Sequence, residues 1–552
     1  MVRIDITSAG DALAVSQFGE PLVCSVGSGP TDFMVPLDAL PDLERSGLKV
    51  TVLSRDLQAI VDADQRSNEQ ARAARGDFFA AYRTFTEINA YLDELDTAPG
   101  VPADQVTLFT VGASIQGRQI RGIRIARATQ PGTPARPVLA ITACQHAREW
   151  AAGSSAMWIA DRLVRLDGSD PQVTGLLDRV NVHIIPIVNP DGYVHTFPTA
   201  QGGGNARLWR KNRRVNFAGS FGVDLNRNWS AGWGLPGASS SPNSDTYRGT
   251  AAFSEPESAA VSTYLASLTP LKGHVDLHTF SQLVLSPYGY TSELPARQAE
   301  IGPVTDAQLQ AMAAVFGGTW IGGPANETLY AASGTAPDWT FTATGALAFT
   351  YELRDTGFYG FVLPPEQIVP AAREAYAGIL ALADHIVRRL TITVPSPPTA
   401  LLQGNPTNFA VRVDLFNQYT LAPGGALLRW RTDGSGPFAS VPLSGGPVTF
   451  TAVIPPQPCG SDVEYFIEAT ANDGTVVVSP AVGVYTAATP PCPACPGDAD
   501  GNRFVDFGDI SAVLAAWGQS GPPGFPGDAD ADGTVSFSDV SAALSAWGQS
   551  CP

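Results

Sequence analysis

In the segment ACQHAREWAAG, His146 and Glu149 stand three residues apart with Arg148 between them, just after the apolar run RPVLAITA. An imidazole and a carboxylate leaving the chain within one turn can share a metal ion. A hydrolytic zinc needs about three such ligands and one open position. The third must come from elsewhere, and only six histidines are available. GHVDLHTF offers His274 and His278, of which His278 lies nearer the end of the expected strand and the polar segment TFSQ. His183, in the middle of VNVHIIPIVN, reads as a structural histidine. RLWRKNRR and GVDLNRNWS bring cations and an Asn close to an Asp, and ALAFTYELRDTGFYGF places Glu352 inside an apolar run. A carboxylate there costs free energy unless it has a partner or a task. The partner would be Arg354, and the task would be proton transfer at a metal.

These groups need a scaffold. From DFFAAYRTFTEINAYLDEL to AYAGILALADHIVRRL, strand-like and helix-like segments alternate, which predicts an α/β domain with a mainly parallel or mixed sheet. RPVLAITA would then deliver His146 and Glu149 at the end of a strand, where open α/β sheets place ligands. The helix SEPESAAVSTYLASL is expected to open on Ser254 as its cap, with Glu257 three residues on. Before this domain, short β-rich runs and SRDLQAIVDADQRS predict a small α/β unit, and NEQARAARG an exposed connector. After it, β-runs such as FAVRVDLF and DVEYFIEAT predict a β-sandwich. A Pro-rich linker, ATPPCPACPG, leads to a repeat of period 30 that contains GDADGNRFVDFGDI and GDADADGTVSFSDV. The expected domains are 1–72, 73–394, 395–487 and 488–552.

Residues 77 to about 390 resemble the zinc metallocarboxypeptidases of the carboxypeptidase A and B type. HAREW, WRKNRR, VDLNRNW, LHTFSQL, LYAASGTAPDW and YELRDTGFYGF carry the resemblance, in the family's order. It implies one catalytic zinc held by His146, Glu149 and His278, with Asp224 behind His146. Glu352 would be general base and acid, and Arg210 would face the developing oxyanion. Asn226 and Arg227 would grip the substrate's terminal carboxylate, Arg148 would offer an outer docking point, and Tyr330 would close over the bound end. An acid seven residues beyond that Tyr selects basic C-termini in the family; here the position is Pro337, so an apolar or aromatic preference is expected. Phe280 stands where the family often has Tyr. Residues 1 to about 72 resemble the family's activation segment, which implies a zymogen cut near Arg72 or Arg75.

The terminal repeats place oxygen ligands at loop positions 1, 3, 5, 9 and 12: Asp498, Asp500, Asn502, Asp506 and Asp509, then Asp528, Asp530, Asp532, Ser536 and Asp539. Hard oxygens at this spacing suit one or two Ca²⁺ ions. Gly533 fits the sharp turn at position 6, whereas the first loop has Arg503 there. Two such units resemble a dockerin module, which implies a cohesin-like or cell-surface partner and an extracellular setting. The start MVRIDITSAGDALAV lacks a signal-peptide pattern. The net charge of −18 excludes a phosphate-neutralising nucleic-acid binder, and the absence of an 18-residue apolar run excludes a membrane-spanning helix. Cys24 and Cys144 read as buried thiols, while Cys459, Cys492, Cys495 and Cys551 leave disulfide pairing open. Two alternatives follow from the same residues: an amidase-type hydrolase on this scaffold, and an inactive adhesion or scaffold protein built on the calcium repeats.

Overall fold

The computed structural model describes every residue except 16, 22–28, 75, 103, 129–134, 403, 416–418, 433, 459, 491–495, 523–524 and 551–552. Cys24, Arg75 and the four C-terminal cysteines therefore lie outside the described residues, whereas Cys144 is a free, buried thiol. Two compact units emerge, Met1–Arg388 and Arg389–Pro552.

The first unit opens with four strands, β1 (Val2–Ile6), β2 (Glu20–Pro21), β3 (Gly29–Met34) and β4 (Val50–Val52), in the order β2-β3-β1-β4. Val2, Ile4 and Ile6 alternate inward from β1 onto Phe33, Leu40 and Leu43. Helices α1 (Ala9–Val15) and α2 (Leu40–Glu44) accompany this sheet, and α3 (Leu57–Ala73) leads out of it. α3 runs through most of NEQARAARG, the stretch expected to be an exposed connector. Glu, Gln, Ala and Arg are strong helix formers, so the helix capped by Asp56 continues without a break signal.

The large sheet has eight strands: β5 (Val106–Ala113), β6 (Gln119–Ile125), β7 (Val138–Ala143), β8 (Asn181–Ile185), β9 (Leu271–Thr279), β10 (Leu283–Ser286), β11 (Ile321–Pro324) and β12 (Leu347–Leu353). Their order is β11-β10-β12-β9-β7-β8-β6-β5, with the central β12, β9, β7 and β8 parallel, antiparallel pairings of β10 on β12, β6 on β8 and β5 on β6, and a parallel pairing of β11 on β10. This is the mixed α/β sheet expected from the sequence. The central strands are buried on both faces, which accounts for near-continuous apolar runs such as VLAITA. Helices α4 (Phe85–Asp96), held by a Thr84/Glu87 capping box, and α5 (Trp150–Arg165) contribute Leu92, Leu95, Met157 and Leu163 to the main core. The helix expected to be capped by Ser254 instead spans Pro256–Ser267 with Glu255 at its N-cap, because Pro256 favours the first helical position. His183 is held by the Tyr264 hydroxyl at 2.7 Å, a structural role.

In the second unit, two antiparallel sheets are centred on Thr407–Leu415 with Thr449–Ile454, and on Leu421–Thr432 with Asp462–Ala471. They share a core that includes Val411, Leu428, Ile454 and Ile467. Leu390–Thr393 already pairs with Arg412–Leu415, so this sheet begins before residue 395. The repeats form two short helices, Phe507–Ala515 and Phe537–Ser545, each preceded by an acidic loop. Among the described residues, no helix is long and apolar enough to cross a membrane.

Candidate metal centre and active site

Because β7, β9 and β12 are parallel neighbours, their C-terminal ends open at one edge of the sheet. His146 and Glu149 follow β7 in the turn that starts α5, with Glu149 at that helix's N-cap. His278 sits near the end of β9, and Glu352 pairs with it in register from β12. His146, Glu149 and His278 each point one ligand atom to a common place, all within 4.8 Å of one another. The two Nδ1 atoms are 3.0 Å apart, and the Glu149 oxygens lie 2.8 Å from His146 and 2.9 Å from His278. All three residues are buried.

The surroundings favour positive charge at that point. Burial alone would raise the Glu149 carboxyl, yet His146 and His278 hold it below the usual carboxylate range. Burial likewise opposes a charge on His278, but Asp276 and Glu149 raise it well above the ordinary imidazole range. Two neutral imidazoles and one carboxylate around a divalent cation satisfy the same demand, and two nitrogens with one oxygen is a donor set zinc accepts. The residues present fit the ion.

Asp224 lies 3.1 Å from His146 Nε2, opposite the converging Nδ1. Burial pushes its carboxyl up, but the Arg210 guanidinium and His146 hold it well below the normal range. Arg210 spends one edge on Asp224, at 2.8 and 3.2 Å, and lines the pocket together with His146 and Glu352. The turn Leu225–Arg227 follows Asp224, whose side chain accepts the Asn226 N–H, and it sends Asn226 and Arg227 into the same pocket. Arg227 donates Nε to Gly237 O and Nη1 to Asn226 O, while its buried Nη2 has no partner among the described residues. Tyr330 also lines the pocket. Arg148 does not; it stacks 4.1 Å over Phe361, with its buried Nε and Nη2 unpartnered among the described residues.

Glu352 is 6% exposed and its Oε2 has no partner among the described residues. Burial pushes its carboxyl up to about 8, against the pull of His278. The structural alternative for this residue falls away, since Arg354 instead grips Glu374 at 2.6 and 2.8 Å. His274, the other candidate ligand, faces Thr142 and stays outside the ligand trio. Sequence reasoning missed Asp276, whose carboxylate lies 2.8 Å from His278 Nε2. The signal was the D-x-H spacing, because residues two apart on a strand share a face.

In the terminal loops the structure groups the carboxylates of positions 1, 3 and 12: Asp498, Asp500 and Asp509, then Asp528, Asp530 and Asp539. The residues at positions 5 and 9 make local bonds, as those at positions 1, 3 and 12 also do. Asn502 accepts the Phe504 N–H and Asp532 that of Thr534, while Asp506 and Ser536 cap the two helices. Position 6 has φ +88 at Gly533 and +69 at Arg503, so the first loop asks a side-chain-bearing residue for a left-handed backbone.

A buried pair of histidines and a glutamate at the strand ends of an α/β sheet, beside the Glu352 carboxyl and the Arg210 guanidinium, define a metal-centred hydrolase. The family described as zinc carboxypeptidase matches residues 88–378, and the chain belongs to it: it is a metallocarboxypeptidase of the carboxypeptidase A-like kind. It is 36% identical over 369 residues to carboxypeptidase A1 of Rattus norvegicus, a match covering 65% of this chain and 85% of that one. Among solved structures it is similar to carboxypeptidase A from Helicoverpa armigera, with 30% identity and TM-score 0.61 over 70% of this chain and 97% of that one. It is also similar to thrombin activatable fibrinolysis inhibitor, with 26% identity and TM-score 0.63 over 70% and 98%.

Proposed function

We propose that this chain removes C-terminal residues from peptides and proteins, prefers apolar or aromatic ends, and is made as a zymogen. One observation carries the reading: the His146–Glu149–His278 trio, the unpartnered Oε2 of Glu352 and the unpartnered Nη2 of Arg227 belong to one site. When bound, zinc would lower the pKa of its water to about 7 and polarise the scissile carbonyl. Arg227, with Asn226, would take the substrate's free carboxylate, each charge-assisted hydrogen bond contributing roughly 1.5–3 kcal/mol. Arg210 would face negative charge developing at the carbonyl oxygen, an interaction stronger in the transition state than in the ground state. Glu352 would accept a proton from the attacking water and return it to the leaving amine. Tyr330 would cover the bound end, with Arg148 docking the chain further out.

Leu285, Ala325, Leu329 and Pro337 line the pocket and support the apolar preference. Of its two acids, Glu352 stands beside the metal ligands, and Asp338 is spent on the backbone: Asp338 accepts the Gly289 N–H at 2.9 Å, and burial pushes it up to about 7. Such a group is a poor anchor for a basic side chain. Peptides ending in Phe or Leu should be cut, their C-terminal amides should not, and chelator should abolish turnover. Equal cutting of the amides would overturn the exopeptidase reading in favour of the amidase alternative.

Packing of α3 against the catalytic part supports the zymogen reading. Asp64 pairs with Arg207, Asn68 bonds the Tyr82 backbone in both directions, and Arg72 makes a two-pronged pair with Glu87. The activating cut would fall near Arg72 or Arg75.

The grouped carboxylates of the terminal loops support one or two bound Ca²⁺ ions, a dockerin-like partner module and an extracellular or cell-surface location. Calcium should raise the melting temperature of the full chain's C-terminal transition. Asp509→Ala together with Asp539→Ala should remove that shift, which differential scanning calorimetry would read. A shift that survives in the double variant would mean that the ion binds elsewhere.

A further inference from the structure

β9 carries three buried polar residues in alternation, His274, Asp276 and His278, which therefore share one face of the strand. The catalytic roles given above use only the last of them.

Asp276 is held from three sides. Thr142 Oγ1 donates to Oδ1 at 2.6 Å, Gln145 Nε2 donates to Oδ2 at 2.5 Å, and His278 Nε2 lies 2.8 Å from Oδ2. The directions of these bonds follow from counting protons. Thr142 has one hydroxyl proton and gives it to the carboxylate, so His274, 2.9 Å from the same oxygen, must donate through Nε2. That leaves His274 Nδ1 bare, which agrees with its having no partner among the described residues. The Asn226 amide nitrogen is 3.3 Å from His278 Nε2, but Asn226 Oδ1 accepts the Ala336 N–H, so the nitrogen is a donor. Two donors cannot satisfy each other, and the His278 Nε2 proton goes to Asp276. The Nδ1 lone pair is thereby aimed at the point shared with His146 and Glu149.

We propose that Asp276 is a positioning residue for the metal site: it fixes the tautomer and ring orientation of His278 and strengthens that imidazole as a ligand. The inference rests on reading His146, Glu149 and His278 as the zinc ligands. Asp224 does the corresponding job for His146, but with a difference. Its carboxylate is neutralised by two N–H groups of Arg210. Asp276 forms no ion pair with Lys or Arg among the described residues, and its other donors, Thr142 and Gln145, are uncharged. Less of its negative charge is cancelled by neighbours, so more of it acts on His278.

The test is the zinc dissociation constant of the full chain, measured by competition with a chromophoric chelator, alongside the melting temperature of the chelator-stripped chain. Asp276→Asn keeps the shape and removes the charge. It should weaken zinc by about 10- to 100-fold, the usual effect of losing such a partner, while the stripped chain melts as the parent does. Thr142→Val keeps the charge but removes the bond that holds Asp276 Oδ1 and so orients Oδ2 toward His278; the loss of orientation should outweigh the charge it uncovers and give a smaller loss in the same direction. This variant also serves as the test if Asp276→Asn fails to fold. Unchanged zinc affinity in the folded variant, or a loss matched by equal destabilisation of the stripped chain, overturns the inference. Failure of the parent itself to bind zinc and cut peptides would instead overturn the reading on which this one rests.

Discussion

Glu352→Gln is expected to lower the turnover of a peptide with a free C-terminus by roughly 10²–10⁴-fold, the range for losing a positioned general acid–base, without loss of bound zinc. Gln has the same shape, so the packing of β12 on β9 survives, but it can neither take nor return a proton. The residue's setting makes the effect large. Glu352 lies beside His278 in the strand register, is almost fully buried, and has one oxygen with no partner among the described residues. Burial raises the carboxyl to about 8, into the range where a group can both accept and release a proton near neutrality. A structural carboxylate would instead be paired, as Glu374 is with Arg354. Steady-state kinetics with metal content measured on the same sample checks this. Turnover within tenfold of the parent, at full zinc occupancy, would remove Glu352 from the chemistry.

Much of the site was legible in the sequence because its parts fall at strand ends. The run VLAITA predicted a strand and placed His146 and Glu149 at its exit, and the structure does the same. The third ligand was harder to place. His278 is 129 residues from Glu149 in the chain, and only the pairing β7-β9 brings them together. No local pattern encodes that pairing, and the choice between His274 and His278 rested on a position along the strand and on family resemblance. Asp276 was missed for a different reason. In an apolar strand an Asp beside a candidate ligand is read against solvent, whereas here its partners Thr142 and Gln145 come from a neighbouring segment. The segment that ends α3 reads as an exposed connector, and Glu69, Gln70, Ala73 and Ala74 are exposed, but the chain there is helical. Arg72 and Asn68 are instead used up in bonds to Glu87 and Tyr82, on a part of the chain that the helix alone does not reveal.

Asp64→Ala should loosen the first seventy or so residues from the catalytic part more than any other single change in that segment. Asp64 Oδ2 meets Arg207 Nε at 2.8 Å, and the two side chains are 3% and 1% exposed. Arg207 also donates to the carbonyls of Arg148 and Phe361, and its guanidinium lies 3.6 Å over the Trp150 ring. Those contacts keep the guanidinium in place when Asp64 is lost, so it stays buried without its counter-ion. Breaking such a pair from one side costs about 3–5 kcal/mol, because the remaining charge is left uncompensated. Asp64→Asn should cost less, since an amide oxygen can still accept from Nε. The measurements are the thermal midpoint and the rate at which trypsin separates the N-terminal segment from the rest. Both should change in the order parent, Asp64→Asn, Asp64→Ala. If Asp64→Ala leaves both unchanged, the remaining contacts, among them those of Asn68 and Arg72, suffice to hold α3, and the buried pair contributes nothing to keeping the N-terminal segment docked.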